Sequence, residues 1–99
     1  MRVSFHPAAD AEVERAQSWY EERSVFAAAG LLQELTRAVQ RIRVAPERYP
    51  TADHGTRRIV LDRYPFSAFY IVRDGEIFIV AVAHHKRRPG YWSDRTPAV

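Results

Sequence analysis

Tyr64-Pro65-Phe66-Ser67-Ala68-Phe69-Tyr70-Ile71-Val72-Arg73, then Asp74-Gly75, then Glu76-Ile77-Phe78-Ile79-Val80-Ala81-Val82-Ala83-His84 read as one unit. Two runs rich in β-branched and aromatic residues flank an Asp-Gly pair. A two-residue type I′ turn needs positive φ at both central positions, which these residue types accept, so the stretch predicts an antiparallel hairpin. A sheet with one solvated face should alternate apolar and polar, yet Phe66 to Val72 and Ile77 to Val82 are apolar on both sides. The second face must be covered, either by the C-terminal tail with Tyr91 and Trp92 folding back or by a partner chain that lays apolar side chains there.

Upstream, Thr56 to Leu61 alternates and adds a third strand, while Glu47 to Gly55, broken by Pro50 and Gly55, reads as a loop. Before it, Ser24 can cap a helix whose apolar positions Ala28, Leu31, Leu32, Leu35, Val39 and Ile42 recur with helical period, and Pro46 ends it near Val44. Pro7 opens an earlier helix, from about Ala8 to Glu22, with Ala9, Val13, Ala16 and Tyr20 on one stripe. Arg2 to His6 has room only for a short strand. The predicted architecture is α+β: a short N-terminal strand and a helical hairpin packed on an antiparallel sheet of about four strands, in the order β-α-α-β-β-β.

The chain has 99 residues, enough for one modest core and one domain spanning 1–99. It contains no cysteine, which excludes a disulfide scaffold, a thiolate metal site and a thiol nucleophile. No long apolar segment follows Met1, so neither a signal peptide nor a membrane span is expected, and the cytoplasm is the expected compartment. The formal net charge is +3, and the stretch from His84 to Arg95 carries all of it by count. Its Lys86, Arg87, Arg88 and Arg95 stand against Asp94 alone, so a polyanion or an acidic protein surface fits this end of the molecule.

The same stretch holds the candidate chemistry. His85 is the best proton-transfer candidate, because imidazole as a group suits proton transfer near neutral pH and this one sits at the mouth of the last strand. Lys86, Arg87 and Arg88 can neutralise phosphate oxygens, Arg58 projects from a neighbouring strand beside Arg57, and Tyr91 can stack on a base or share a proton. Against this stands the reading of a basic run as a solvated sheet edge that discourages aggregation. His84 should point away from His85 and cap the sheet, and adjacent strand residues make a poor metal pair, so no metal or cofactor is expected. His6 and His54 look like a strand-end and a loop residue, Trp19 and Tyr20 like core. Glu12, Glu14, Glu21 and Glu22 read as a solvated helix face.

Taken in order, His6-Pro7-Ala8-Ala9, Trp19-Tyr20, Ala45-Pro46-Glu47, Arg57-Arg58-Ile59, Tyr64-Pro65-Phe66, Tyr70, Asp74-Gly75 and the terminal His-Lys-Arg-Arg-Pro run resemble the RelE/ParE superfamily of bacterial type II toxin–antitoxin toxins over essentially the whole chain. The resemblance implies a small toxin held inactive in a hetero-oligomer by a cognate antitoxin. The antitoxin would cover Phe69, Ile71, Phe78 and Val80 on the hairpin and Leu32 and Leu35 on the second helix. It further implies a target that is either DNA gyrase or ribosome-bound mRNA. In the second case His85, Tyr91 and Arg58 would be catalytic, with Lys86, Arg87, Arg88, Arg57 and Trp92 holding RNA; in the first, the same residues form a recognition surface. RelE-like nucleases usually place an arginine in the strand leading to the tyrosine that matches Tyr70, and this chain has Ser67 there. A hydroxyl cannot replace a guanidinium on a scissile phosphate. The alternative to either toxin is a basic, non-catalytic interaction module.

Overall fold

A computed structural model describes residues 1–96. The elements are β1 (Arg2–Phe5), α1 (Pro7–Glu21), α2 (Val25–Val44), β2 (Arg57–Val60), β3 (Phe66–Arg73) and β4 (Glu76–His84), with short 3₁₀ turns at Asp53–Gly55 and Ser93–Arg95. Local chemistry places the boundaries. Pro7 occupies the first turn of α1, where its missing N–H is not needed, and His6 Nδ1 accepts the Ala8 N–H at 3.0 Å. Ser24 caps α2 by accepting the Ala27 N–H at 3.2 Å. The β3–β4 turn has φ of 53° at Asp74 and 74° at Gly75, the geometry expected of a type I′ hairpin.

The sheet order is β1-β4-β3-β2. β2, β3 and β4 form the expected antiparallel meander, whereas β1 pairs in parallel with β4, so the four-stranded sheet is mixed. A parallel pair needs a long crossover, and the helical hairpin followed by two strands provides it. The last strand in sequence thereby becomes a central one.

One irregularity sets which side chains face the helices. Between the pairs Phe69↔Ala81 and Tyr70↔Ile79, β4 carries an extra residue, Val80. This β-bulge shifts the alternation by one, so Ile77, Ile79 and Val82 all join the helix-side core with Ala68, Tyr70, Leu31, Leu35 and Ile42. Strict two-residue periodicity would have put Val82 with Phe78 and Val80. On the opposite face Val80, Ala81 and Trp92 form a second cluster, flanked by Phe69, Ile71, Phe78 and Tyr91. The chain's own tail therefore covers part of the doubly apolar hairpin.

Gly30 sits where α2 meets the β2–β3 connection. A Cβ there would collide with the Tyr64 hydroxyl, which donates to Ala27 O at 2.7 Å, while the nearest ring carbon lies at an ordinary 3.5 Å. Gly30→Ala should therefore fail to stabilise the wild-type chain. In a Tyr64→Phe background the same change should gain about 1 kcal/mol, the helix-propensity difference between Gly and Ala. Urea unfolding of the four proteins measures this sign change.

Candidate functional site

The outer face of the sheet ends in an open cleft of about 480 Å³, lined by Arg58 from β2, Ser67 and Phe69 from β3, Ala83 and His84 from β4, the Thr51–Asp53 loop, His85 and the segment from Arg87 to Trp92. Register assembles it. Ser67 pairs with Ala83 at the end of the β3–β4 ladder, and the His85 N–H bonds to Pro65 O at 2.8 Å, which fixes the imidazole beyond the strand. Ser67 is 3% exposed, and its hydroxyl lies 3.0 Å from His85 Nε2. Thus the imidazole nitrogen facing the cleft floor is engaged by a neutral hydroxyl.

Arg58, Arg87 and Arg88 come together with His85 around this cleft. Lys86 is exposed outside the lining, its backbone N–H held by His84 Nδ1 at 3.0 Å. Arg57 has a different duty: its guanidinium donates to Tyr49 O at 2.7 Å and Glu47 O at 3.1 Å, tying the preceding loop to β2 rather than presenting to a target.

Trp92 is likewise not a free binding platform. It is 2% exposed, packs on Phe69 at 4.7 Å between ring centroids and meets His54 edge-on at 5.7 Å. Tyr91 lines the cleft wall, but its hydroxyl donates to Glu12 Oε2 and its ring lies 3.9 Å beneath the Arg87 guanidinium. Burial raises the Tyr91 phenol well above its ordinary range, the Glu12 hydrogen bond and charge raise it further, and Arg87 and Arg95 only partly oppose this. A phenol so held is a donor to a buried carboxylate, not a base.

Of the residues expected to meet an antitoxin, Phe69, Ile71, Phe78 and Leu32 are half-buried. Leu35 belongs to the helix–sheet core, and Val80 lies in the second cluster with Trp92, so both are removed from the surface. Helical period alone placed Leu35 and Leu32 together, but only Leu35 points fully inward.

Glu12 corrects the sequence reading most. Rather than a solvated helix face it is 6% exposed, and it accepts from the Val82 N–H at 3.0 Å, from Arg95 at 3.0 Å and from Tyr91. β1 ends before β4 does: the last bond along that edge runs from the His6 N–H to Ile79 O. Beyond it, Glu12 takes the Val82 N–H and Arg95 donates to Val80 O at 3.2 Å, so two side chains complete the ladder that β1 leaves unfinished. The signal was present, since Glu12 falls between Ala9 and Ala16 on the apolar stripe of α1. Glu34 repeats the pattern on α2, accepting the backbone N–H groups of Asp62 and Arg63 and so holding the turn before β3. Among the described residues no cluster of His, Asp and Glu could hold a metal ion, and no helix is long and apolar enough to cross a membrane.

Residues 3–89 match the family described as the ParE toxin of the type II toxin–antitoxin system parDE. Among solved structures, the fold is similar to a chain of the chromosomal ParDE toxin–antitoxin system from P. aeruginosa, with a TM-score of 0.72 and 22% identity over 85% of this chain and 95% of that one. No curated protein matches the sequence. The family match stops before Tyr91, Trp92 and Arg95.

Proposed function

Because the chain belongs to the ParE toxin family of type II toxin–antitoxin systems, we propose that it is a cytoplasmic growth inhibitor, neutralised in a hetero-oligomer by a cognate antitoxin, and that once free it acts by binding DNA gyrase rather than by cutting RNA. The observation that carries the second half is the Ser67–His85 contact at 3.0 Å. Cleavage of RNA through its 2′-hydroxyl needs a base for that hydroxyl, cations on the phosphate and an acid for the leaving oxygen. Here the position next to the imidazole offers a neutral hydroxyl in place of a guanidinium, and the nearest phenol is bound to Glu12. The half-buried apolar residues Phe69, Ile71 and Phe78 support an antitoxin that meets the outer sheet face beside the tail.

A second reading has its own support. Arg58, Arg87 and Arg88 ring the cleft that contains His85, and such a field suits ribosome-bound mRNA as well as a protein target. Two assays on the purified chain separate the readings. Gyrase supercoiling should be inhibited and ribosome-bound mRNA should stay intact, and His85→Ala should lose far less inhibition than the roughly 10²–10⁴-fold that removal of a general acid or base costs. If mRNA is cut instead, and His85→Ala slows the cut by the 10²–10⁴-fold typical of a lost general acid or base, the nuclease reading replaces this one.

A further inference from the structure

The concentration of charge in the tail conceals a second basic surface. The outward stripe of α2 carries Gln33, Arg37, Gln40, Arg41 and Val44, all exposed, and Arg43 and Arg48 extend the positive field around the helix end. Between residues 33 and 48 the only carboxylates are Glu34, buried under the turn before β3, and Glu47. Among the described residues none of Arg37, Arg41, Arg43 and Arg48 enters an ion pair or a side-chain hydrogen bond.

A solvated helix face explains this poorly. α1, the other half of the same hairpin, exposes Asp10, Glu14 and Glu21 beside Arg15, so the acidic residues are gathered on one helix and the arginines on its neighbour. The helix dipole accounts for cations in the last turn, where Arg41 and Arg43 lie, but not for Arg37 a turn earlier or Arg48 beyond the helix. Every cation here is arginine, whose planar fork grips phosphate oxygens in pairs, and the uncharged members Gln33 and Gln40 donate to the same acceptors. Arg37 and Arg41 are one helical turn apart, a rise of about 6 Å, while each strand of duplex DNA carries one phosphate per ~3.4 Å of helix axis, so both guanidiniums can reach phosphates of a single strand.

We infer that the outer face of α2 binds the phosphate backbone of double-stranded DNA, without reading its sequence, through Arg37 and Arg41 at its centre and Arg43 and Arg48 at its edge. This surface is separate from the cleft around His85, and the inference stands whichever target the toxin inhibits. An acidic protein segment is the competing occupant. It suits the charge equally, but it would call for an apolar centre between the cations, whereas Arg37 and Arg41 are accompanied by Gln33 and Gln40 and the one apolar member, Val44, lies at the helix end.

The test measures binding of the purified chain to a short fluorescent DNA duplex of arbitrary sequence as a function of salt. Arg37→Gln with Arg41→Gln preserves helix propensity, which far-ultraviolet circular dichroism can verify, and should lower the slope of log K against log salt by about 2. Arg87→Gln with Arg88→Gln is the companion variant. A slope that falls only in the companion would overturn the inference by placing the duplex in the cleft. It would equally be overturned if polyglutamate of matched charge displaced the duplex as well as unlabelled DNA does, because the surface would then be a general acidic-peptide site.

Discussion

Glu12→Ala should lower the melting temperature by on the order of 20 °C, more than truncation of any exposed cation around the cleft. The carboxylate gathers three donors from three parts of the chain: the Val82 N–H of β4, the Tyr91 hydroxyl and the Arg95 guanidinium. Truncation leaves Arg95, whose side chain is 16% exposed, with Val80 O alone, and strips the Val82 N–H of its acceptor where β1 no longer reaches. Removing one partner of a buried ion pair costs about 3–5 kcal/mol. In a domain of this size each kcal/mol moves the melting point by about 4–8 °C. Glu12→Gln keeps an acceptor for the Val82 N–H and should lose less. Trp92 reports the consequence, since the tail that covers Val80 and Ala81 is anchored through Tyr91 and Arg95. In a Trp19→Phe background, Glu12→Ala should red-shift Trp92 emission before global unfolding. A melting point within a few degrees of wild type would show that the carboxylate does not hold the tail.

Stability should also fall steeply between pH 10 and 12. Burial raises Tyr70 from 10.0 to about 12, against the lowering influence of Arg57, and its hydroxyl donates to Pro46 O at 2.7 Å. Tyr91 is raised further, and Tyr20 is raised by burial and by Tyr64. In this window the folded chain keeps phenolic protons that the unfolded chain has released, so unfolding is favoured as pH increases. The stabilisation is complete below pH 10 and is lost as pH climbs toward the folded values, at up to about 1.4 kcal/mol per pH unit for the fully buried Tyr70, with Tyr91 and the less buried Tyr20 acting in the same direction. With Lys86 the only lysine among fifteen basic side chains, the window is nearly free of competing titrations. Denaturant unfolding at several pH values should show a slope that Tyr91→Phe makes shallower. A stability independent of pH across the window would contradict the burial of both hydroxyls.

These two expectations bear on how the toxin works, because Glu12 and Tyr91 build the wall of the cleft from behind. α1 reaches across the end of β4, and the tail it holds positions Arg87 over the Tyr91 ring and carries Arg88 along the cleft wall. If the cleft is the surface that meets the target, as proposed, loosening the tail should weaken target binding without replacing a cleft cation. Activity lost in Glu12→Ala together with the Trp92 shift would identify positioning rather than contact as the cause.

How much of this was legible beforehand differs from element to element. The hairpin was written in Asp74-Gly75 and its flanking runs, the helices in their stripes and in Pro7 and Ser24, and the order of these motifs pointed to the toxin superfamily. Local sequence acts through local geometry, and each of those features is decided within a few residues. The direction of β1, the extra residue at Val80 and the covering of the outer face by Trp92 depend on contacts between segments far apart in the chain. The site shows the same division. The sequence by itself determined that His85, Arg87 and Arg88 would stand at the end of a strand, while the expectation of an arginine where Ser67 stands came from the superfamily resemblance. Only the tertiary structure decided that Ser67 would meet His85, that Arg57 would turn away to Glu47 and Tyr49, and that Glu12 would be buried. A carboxylate on an apolar stripe is indistinguishable from a misplaced surface charge until three donors converge on it, and those donors lie 70 or more residues away along the chain.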